Sequence, residues 1–159
     1  MTRLPTLGPG GEGWVAIQMV LLALTGAAGW WLGPSWSGEV RAVSTVGGAA
    51  GILAGLALAV RGARDLRGAL TPLPYPRADA HLVETGVYRL VRHPIYGGLV
   101  LAGFGWGLVM ASIPALLTAI VLLGFFELKS RREEVWLEAR FPGYAAYRTR
   151  TRRLIPWIG

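Results

Sequence analysis

Cysteine is absent from this 159-residue chain. Disulfides, thiolate nucleophiles and cysteine-ligated metal ions are therefore excluded, and we predict no metal site. Charge is scarce as well: Asp, Glu, Lys and Arg make up 16% of the residues, against about 25% in typical soluble domains. Hydrophobic residues make up 53% of the chain, and there are 23 glycines. This composition favours lipid rather than water as the solvent of the fold.

Three stretches contain no charged side chain: residues 14–32, 42–60 and 94–126. A helix needs about 20 apolar residues to cross a bilayer core of about 30 Å, so the first two predict one crossing each. The third has 33 residues and is interrupted at Ser112 and Pro114, because proline disfavours helix in the residue before it. We predict an all-α integral membrane protein, a single domain over residues 1–159, with transmembrane helices at about 14–32, 42–60, 94–111 and 113–128. The last two of these four form a helical hairpin; one long tilted helix is the alternative.

Basic residues are concentrated on one side of the predicted membrane topology. With four crossings, fifteen of the sixteen Lys and Arg residues lie on the side of both termini, and only Arg41 lies opposite. Short cytoplasmic loops carry such an excess. We therefore predict a multi-pass protein of the cell membrane with cytoplasmic termini, in which Arg89 and Arg92 are positive-inside anchors. The net charge of +7 favours anionic lipid over nucleic acid as the partner, and the excess of arginine over lysine favours a prokaryotic, GC-rich source.

Glycines predict close packing between helices. Gly47, Gly51 and Gly55 recur at intervals of four in the second span, a pattern that lets two membrane helices approach closely. The GxGxG string at residues 103–107 lies inside an apolar stretch with no strand before it. It therefore does not predict a dinucleotide-binding loop.

Beyond the fourth span we expect the helix to continue into the cytoplasm. Glu127 and Arg131, and likewise Lys129 and Glu133, have the i,i+4 spacing of ion pairs. Residues 141–143, Phe-Pro-Gly, end this C-terminal helix. The tail that follows is, by itself, typical of a membrane-surface segment.

The stretch YRLVRHPIYGG, residues 88–98, stands directly at the start of the third span. Pro94 suits the first turn of a helix, so His93 is expected at the cytoplasmic mouth of that span. Glu133 and Glu134 follow 40 and 41 residues later, and a hairpin returns them to the same end. Tandem residues on a helix point about 100° apart, so we expect at most one of the two carboxylates to face inward. Taken separately, the tyrosines are typical of a membrane interface, the histidine of a helix cap and the glutamate pair of a solvated helix face. Because all of them are expected at the same membrane depth, we predict that they form one common site.

At these residues the sequence resembles a known family. The segments HLVETGVYRLVRHPIYGG (81–98) and KSRREEVWLEARFPGYAAY (129–147) are similar to the isoprenylcysteine carboxyl methyltransferases, relatives of the wider phospholipid methyltransferases. The resemblance covers roughly residues 80–157. It implies an integral membrane enzyme that holds S-adenosylmethionine in a cytoplasm-facing pocket and admits its acceptor laterally from lipid.

The resemblance also implies two cofactor-site segments, residues 80–98 and 127–157. The cofactor-binding positions that it assigns are His81, Leu82, Val83, Tyr88, His93, Pro94, Ile95, Tyr96 and Glu133. Gly97 and Gly98 are expected to leave room beside the ligand. Lys129 stands where the methylester-forming members have an acceptor-facing Arg, and it keeps the charge without the bidentate fork. Lys129 and Glu134 are the expected acceptor-positioning residues.

The sequence is compatible with several acceptors and with more than one class of function. A lipophilic acceptor with a carboxylate, as in an isoprenylcysteine, needs no base, whereas a phospholipid amine or a thiol needs one, for which Glu134 and His93 are candidates. An NADPH-dependent membrane reductase is a second hypothesis, although the sterol reductases with a similar tail have many more spans. A non-enzymatic membrane subunit is a third, against which the intact RHPxY and EE pair argues. The sequence does not fix the oligomeric state.

Overall fold

The computed structural model describes residues 4–66, 70–71, 73, 75 and 81–155. These residues form five α-helices, which are α1 (Glu12–Trp31), α2 (Gly38–Leu66), α3 (Pro94–Val109), α4 (Ile113–Arg140) and α5 (Tyr144–Arg150). A short 3₁₀ helix, Gly86–Arg89, precedes α3, and the described ranges hold no β-strand. The predicted all-helical class is confirmed. Residue 80 and residues 156–157 of the predicted cofactor segments lie outside the described ranges.

Three of the helices, α1, α2 and α4, are long and apolar enough to cross a membrane, and α3 is a shorter apolar helix of 16 residues. α2 extends from residue 38 to residue 66, beyond the predicted 42–60, because charged residues end an apolar run without ending a helix. Arg61 and Asp65 form an i,i+4 ion pair in that extension. α4 runs without a break into its charged end, where the predicted pair of Glu127 and Arg131 is formed at 3.0 Å.

α2 and α3 pack with their backbones in contact. The contacts come from Gly48, Gly55 and Gly62, which are the buried residues of α2. A Cβ built on Gly48 would lie 2.5 Å from the carbonyl oxygen of Gly105, and one built on Gly55 would lie 2.5 Å from that of Gly98. Any side chain at these two positions would therefore separate the helices.

The packing glycines differ in part from the predicted set. Gly55 lies in the interface, and a Cβ on Gly51 would be in ordinary contact with Gly105, at 3.5 Å. Gly47 has open space around it, so its prediction as a packing residue is wrong. The buried glycines are spaced by seven, close to two helical turns, whereas Gly47 points about 100° away from its neighbour Gly48.

The chain reverses direction between α3 and α4 within three residues. Ala111 adopts a φ of 52°, a left-handed conformation that is uncommon outside glycine. The Ser112 hydroxyl then caps α4 by accepting a hydrogen bond from the amide of Ala115 at 3.3 Å. The two helices pack together, and the ring of Tyr96 stacks on that of Phe126 with centroids 4.7 Å apart. The charged end of α4 therefore lies beside the start of α3.

α1 packs against α4 and α3 through aromatic residues. The rings of Trp14 and Phe125 lie 5.7 Å apart, within a buried apolar cluster that also contains Leu122. The indole of Trp106 donates a hydrogen bond to the carbonyl of Gly26 at 3.2 Å. These contacts fix the position of α1 along α4.

The tail after α4 folds back onto the segment before α3. The amide of Arg92 donates to the carbonyl of Arg152 at 2.8 Å, and the amide of His93 donates to that of Arg153 at 2.9 Å. Val91 and Arg152 form an isolated parallel bridge. The described tail therefore docks on the protein beside His93, rather than lying free at a membrane surface.

Candidate functional site

A cavity of about 370 Å³ opens where the start of α3 meets the charged end of α4. Ligand pockets typically have volumes of roughly 300–1,000 Å³. Eight of the nine predicted cofactor-binding residues line it, namely His81, Leu82, Val83, Tyr88, His93, Ile95, Tyr96 and Glu133. The ninth, Pro94, is buried and begins α3 with its ring against Gly62 of α2. Lys129 and Glu134 are buried behind the cavity wall.

His93 lies between two carboxylates. Its Nδ1 is 3.7 Å from Glu133 Oε2, and its Nε2 is 3.4 Å from Glu134 Oε1. Its ring stacks on Tyr96 with an interplanar angle of 3°, and the Tyr96 hydroxyl donates to Glu133 Oε2 at 2.8 Å. The two carboxylates lie beside opposite nitrogens of the imidazole, but of the two glutamates only Glu133 lines the cavity, which agrees with the prediction that at most one faces inward.

Glu134 forms the centre of a buried ion network. Nε of Arg92 donates to Glu134 Oε1 at 2.8 Å, and the guanidinium of Arg153 donates to both Glu134 oxygens at 3.3 Å. The side chains of Arg92 and Glu134 are 7% and 4% exposed. Burial opposes the charge of Arg153, but Glu134 and then Glu127 raise its pKa, so it remains cationic. The prediction of Arg92 as a surface anchor is therefore wrong, whereas Arg89 is exposed.

Lys129 is fully buried and is bound by an amide of α1. Its Nζ donates a hydrogen bond to Gln18 Oε1 at 2.5 Å and lies 4.9 Å from the centre of the Tyr96 ring. The predicted ion pair with Glu133 is not formed, because Lys129 extends toward α1 instead. Since Gln18 and Tyr96 both line the cavity, the ammonium lies directly behind that part of the wall.

Three tyrosines close the side of the cavity nearest the tail. Tyr88, Tyr144 and Tyr147 all line it, and the Tyr147 hydroxyl donates to the carbonyl of Tyr88 at 2.8 Å. The buried Tyr144 hydroxyl has no hydrogen-bond partner among the described residues. Burial raises the pKa of Tyr88 and of Tyr144, and nearby glutamates raise both further. Both phenols are therefore neutral and able to donate hydrogen bonds.

The stretch of sequence that carries the motif residues of this site matches a known family. The model of the phospholipid methyltransferase family matches residues 43–143, which is more than half of the chain. The chain belongs to the phospholipid methyltransferase family. That family includes the isoprenylcysteine carboxyl methyltransferases, so the resemblance found in the sequence is confirmed. No curated protein matches the chain significantly.

The site of this phospholipid methyltransferase family member also contains residues that the sequence did not predict. Gln18 lies outside the matched range, and its only sequence signal is a polar side chain within an apolar run. Tyr144 and Tyr147 lie just beyond the family match but within the predicted cofactor segment 127–157, although neither was assigned a role individually. Their spacing of three places them on one face of α5. The lining residues outside both predicted cofactor segments also include Leu66, Leu70, Thr71 and Leu73, whereas Arg92, Leu137 and Phe141 lie within those segments without having been assigned individually.

Gly97 and Gly98 have a different role from the predicted one. A Cβ on Gly97 would collide with the carbonyl oxygen of Leu154 in the tail, and a Cβ on Gly98 would collide with that of Gly55 in α2. The prediction that they leave room beside a ligand is wrong. They make room for the tail and for α2, and so bring both against the start of α3.

Proposed function

We propose that the protein is an integral membrane methyltransferase that uses S-adenosylmethionine and methylates a lipophilic acceptor at the cytoplasmic face. Membership of the phospholipid methyltransferase family supplies the reaction class. The observation that carries the proposal is the convergence of His93 and Tyr96 from one helix and Glu133 from another on one cavity. Ionisable groups that converge on one cavity from separate helices are a usual mark of a functional site.

The proposed topology has four crossings, with α3 and α4 as a hairpin and both termini in the cytoplasm of a prokaryotic cell. Three helices have the length and hydropathy of membrane spans. At 1.5 Å per residue α3 covers about 24 Å, and the turn that follows it supplies part of the remaining bilayer core. The cavity lies at the end of the helices that carries Arg89, Arg131 and Arg148, which is the arginine-rich side.

The residues of the cavity fit the proposed cofactor. When bound, S-adenosylmethionine would supply a methyl group attached to a positively charged sulfonium. Glu133, whose side chain is 22% exposed, is placed to accept hydrogen bonds from an ammonium group. Tyr88 lines the cavity, and an aromatic ring face stabilises a cation by about 0.5–2 kcal/mol. The Tyr96 ring is stacked on His93 and on Phe126, so it contributes through the hydroxyl that donates to Glu133. The unpartnered hydroxyl of Tyr144 suits a ligand that carries polar groups.

An apolar wall supports a lipophilic acceptor. Leucines from three parts of the chain line the cavity beside the polar residues: Leu66, Leu70, Leu73 and Leu137. Holding two reactants in line supplies about 7–11 kcal/mol of a barrier without any covalent step by the protein. In this proposal Lys129 positions the acceptor, whereas Glu134 positions His93, because its oxygens are engaged by Arg92 and Arg153. A phospholipid amine or a thiol remains the alternative acceptor.

Replacing Glu133 by glutamine is expected to weaken S-adenosylmethionine binding by about 10- to 100-fold, because a charge-assisted hydrogen bond to the ligand's ammonium is lost. His93→Ala is expected to have a similar effect, since the imidazole orients Glu133 and Tyr96. Isothermal titration of the purified protein in detergent measures both.

Glu138→Gln is the matched control, because Glu138 lies on the same helix and pairs with Arg148 at the surface. Equal affinity in the wild type and all three variants would refute the site assignment. Binding of NADPH but not of S-adenosylmethionine would replace the proposal with the reductase hypothesis. Incubation of a lipid extract with methyl-labelled cofactor and the wild-type protein then identifies the acceptor by the mass of its product.

A further inference from the structure

We infer that Gln18 of α1 is a positioning residue that holds Lys129 away from Glu133 and so keeps the Glu133 carboxylate free for a cationic group of the ligand. The inference rests on the proposed function, because it concerns the same cavity. It assigns a role in the site to α1, which lies outside the family match.

The first step is the partner that Lys129 has. Its ammonium is fully buried, and a buried charge requires a compensating partner. The hydrogen bond to Gln18 Oε1, at 2.5 Å, and the face of the Tyr96 ring, at 4.9 Å, are the two contacts that the described residues give it. Both contacts are with neutral groups, and the one anion among the described residues that acts on the ammonium is Glu133, which attracts it without forming an ion pair.

The second step is the partner that Lys129 does not take. Glu133 is one helical turn away on α4, at the i,i+4 spacing at which Lys and Glu form ion pairs. In the structure Glu133 instead accepts from the Tyr96 hydroxyl at 2.8 Å and lies 3.7 Å from His93 Nδ1. If the amide of Gln18 were removed, the buried ammonium would have Glu133 as its nearest anion, and that pair would compete with a bound cation.

The third step is the reason that α1 can reach this position. The tilted ring contact between Trp14 and Phe125 fixes α1 beside α4 one helical turn before Gln18. Gln18 is half-buried and lines the cavity, so its side chain spans the distance between the cavity and the lysine. A polar residue in an apolar helix is used in this way for contacts between helices.

The test uses isosteric, apolar substitutions and S-adenosylmethionine binding measured by isothermal titration. Gln18→Met is expected to weaken binding by about tenfold, because Glu133 is then drawn to Lys129. Lys129→Met is expected to lower methyl transfer, because Lys129 positions the acceptor, but not to weaken S-adenosylmethionine binding, because no lysine then competes for Glu133. The double variant Gln18→Met/Lys129→Met is expected to match Lys129→Met, since Gln18 acts only through Lys129.

The same set of proteins separates the possible failures. If the wild type does not bind S-adenosylmethionine, the proposed function itself fails. If the wild type binds and Gln18→Met binds equally well, the inference alone is overturned. It is also overturned if Gln18→Met weakens the Lys129→Met protein by the same factor as the wild type, because Gln18 then contacts the ligand directly. Should Gln18→Met not be recovered folded, Gln18→Asn keeps an amide but is too short to reach Nζ, and the same outcomes apply.

Discussion

Replacing Arg92 by methionine is expected to lower the free energy of unfolding by about 3–5 kcal/mol, the usual cost of breaking a buried ion pair by removing one partner. The side chains of Arg92 and Glu134 are 7% and 4% exposed, so the lost charge-assisted hydrogen bond is only partly replaced by water. The Arg92 guanidinium also donates to the carbonyls of Arg148 and Thr151. The substitution therefore leaves one carboxylate oxygen and two carbonyl groups with fewer partners.

Thermal unfolding of the purified protein in detergent measures this effect, and we expect the apparent Tm to fall by on the order of 10 °C. Arg89→Met is the matched control, because Arg89 lies three positions earlier and is exposed. Its Tm is expected to stay near that of the wild type, since an exposed arginine contributes little. Equal losses in the two variants would show that the pair with Glu134 does not stabilise the fold.

Replacing Gly55 by leucine is expected to destabilise the protein by about 3 kcal/mol or more and to abolish ligand binding. Overpacking a core usually costs about 1–3 kcal/mol, and here the new side chain meets the backbone of Gly98 rather than a flexible side chain. Forcing α2 away from α3 also displaces two residues that line the cavity. These are Leu66, at the end of α2, and Ile95, in the first turn of α3. Both Tm and S-adenosylmethionine affinity measure the result.

Gly47→Leu is the control on the same helix. Gly47 has open space around it, so a leucine there is expected to be tolerated, and a gain of about 0.5–1 kcal/mol follows from its better helix propensity. The two substitutions are chemically identical and lie eight positions apart. A loss of stability at Gly47 as large as that at Gly55 would contradict the described packing of α2.

The helices were predictable because their starts and ends are determined by local chemistry. Pro94 begins α3 and Phe141 follows the end of α4, as the sequence indicates, and the predicted break at Ser112 and Pro114 is where α4 starts. The ends of α2 could not be predicted in this way, because a run without charged residues shows only where a helix is apolar. The helix continues into charged residues on both sides of that run. Which glycine packs against α3, Gly48 or Gly47, depends on the relative orientation of the two helices. The sequence of α2 alone does not determine that orientation.

The part of the candidate site that is formed by the sequence motifs could be predicted. His93, Tyr96 and Glu133 come together because the chain reverses once between them, and a spacing in sequence suffices to predict that. Arg92 was predicted incorrectly, because its burial depends on a tail that returns after 60 residues to pair with the neighbouring backbone. Gln18 could not be assigned from sequence, since its contact with Lys129 depends on the position of α1 along α4.

The docking of the tail on the segment before α3 has a consequence for the order of biosynthesis. Arg152, Arg153 and Leu154 contribute the carbonyls that meet Arg92, His93 and Gly97. These three residues leave the ribosome after the helices that are long and apolar enough to cross a membrane. The nascent chain can therefore insert all its spans while the pocket is still incomplete. If the proposed function holds, a chain truncated before Arg152 is expected to insert into the membrane but to show no methyl transfer.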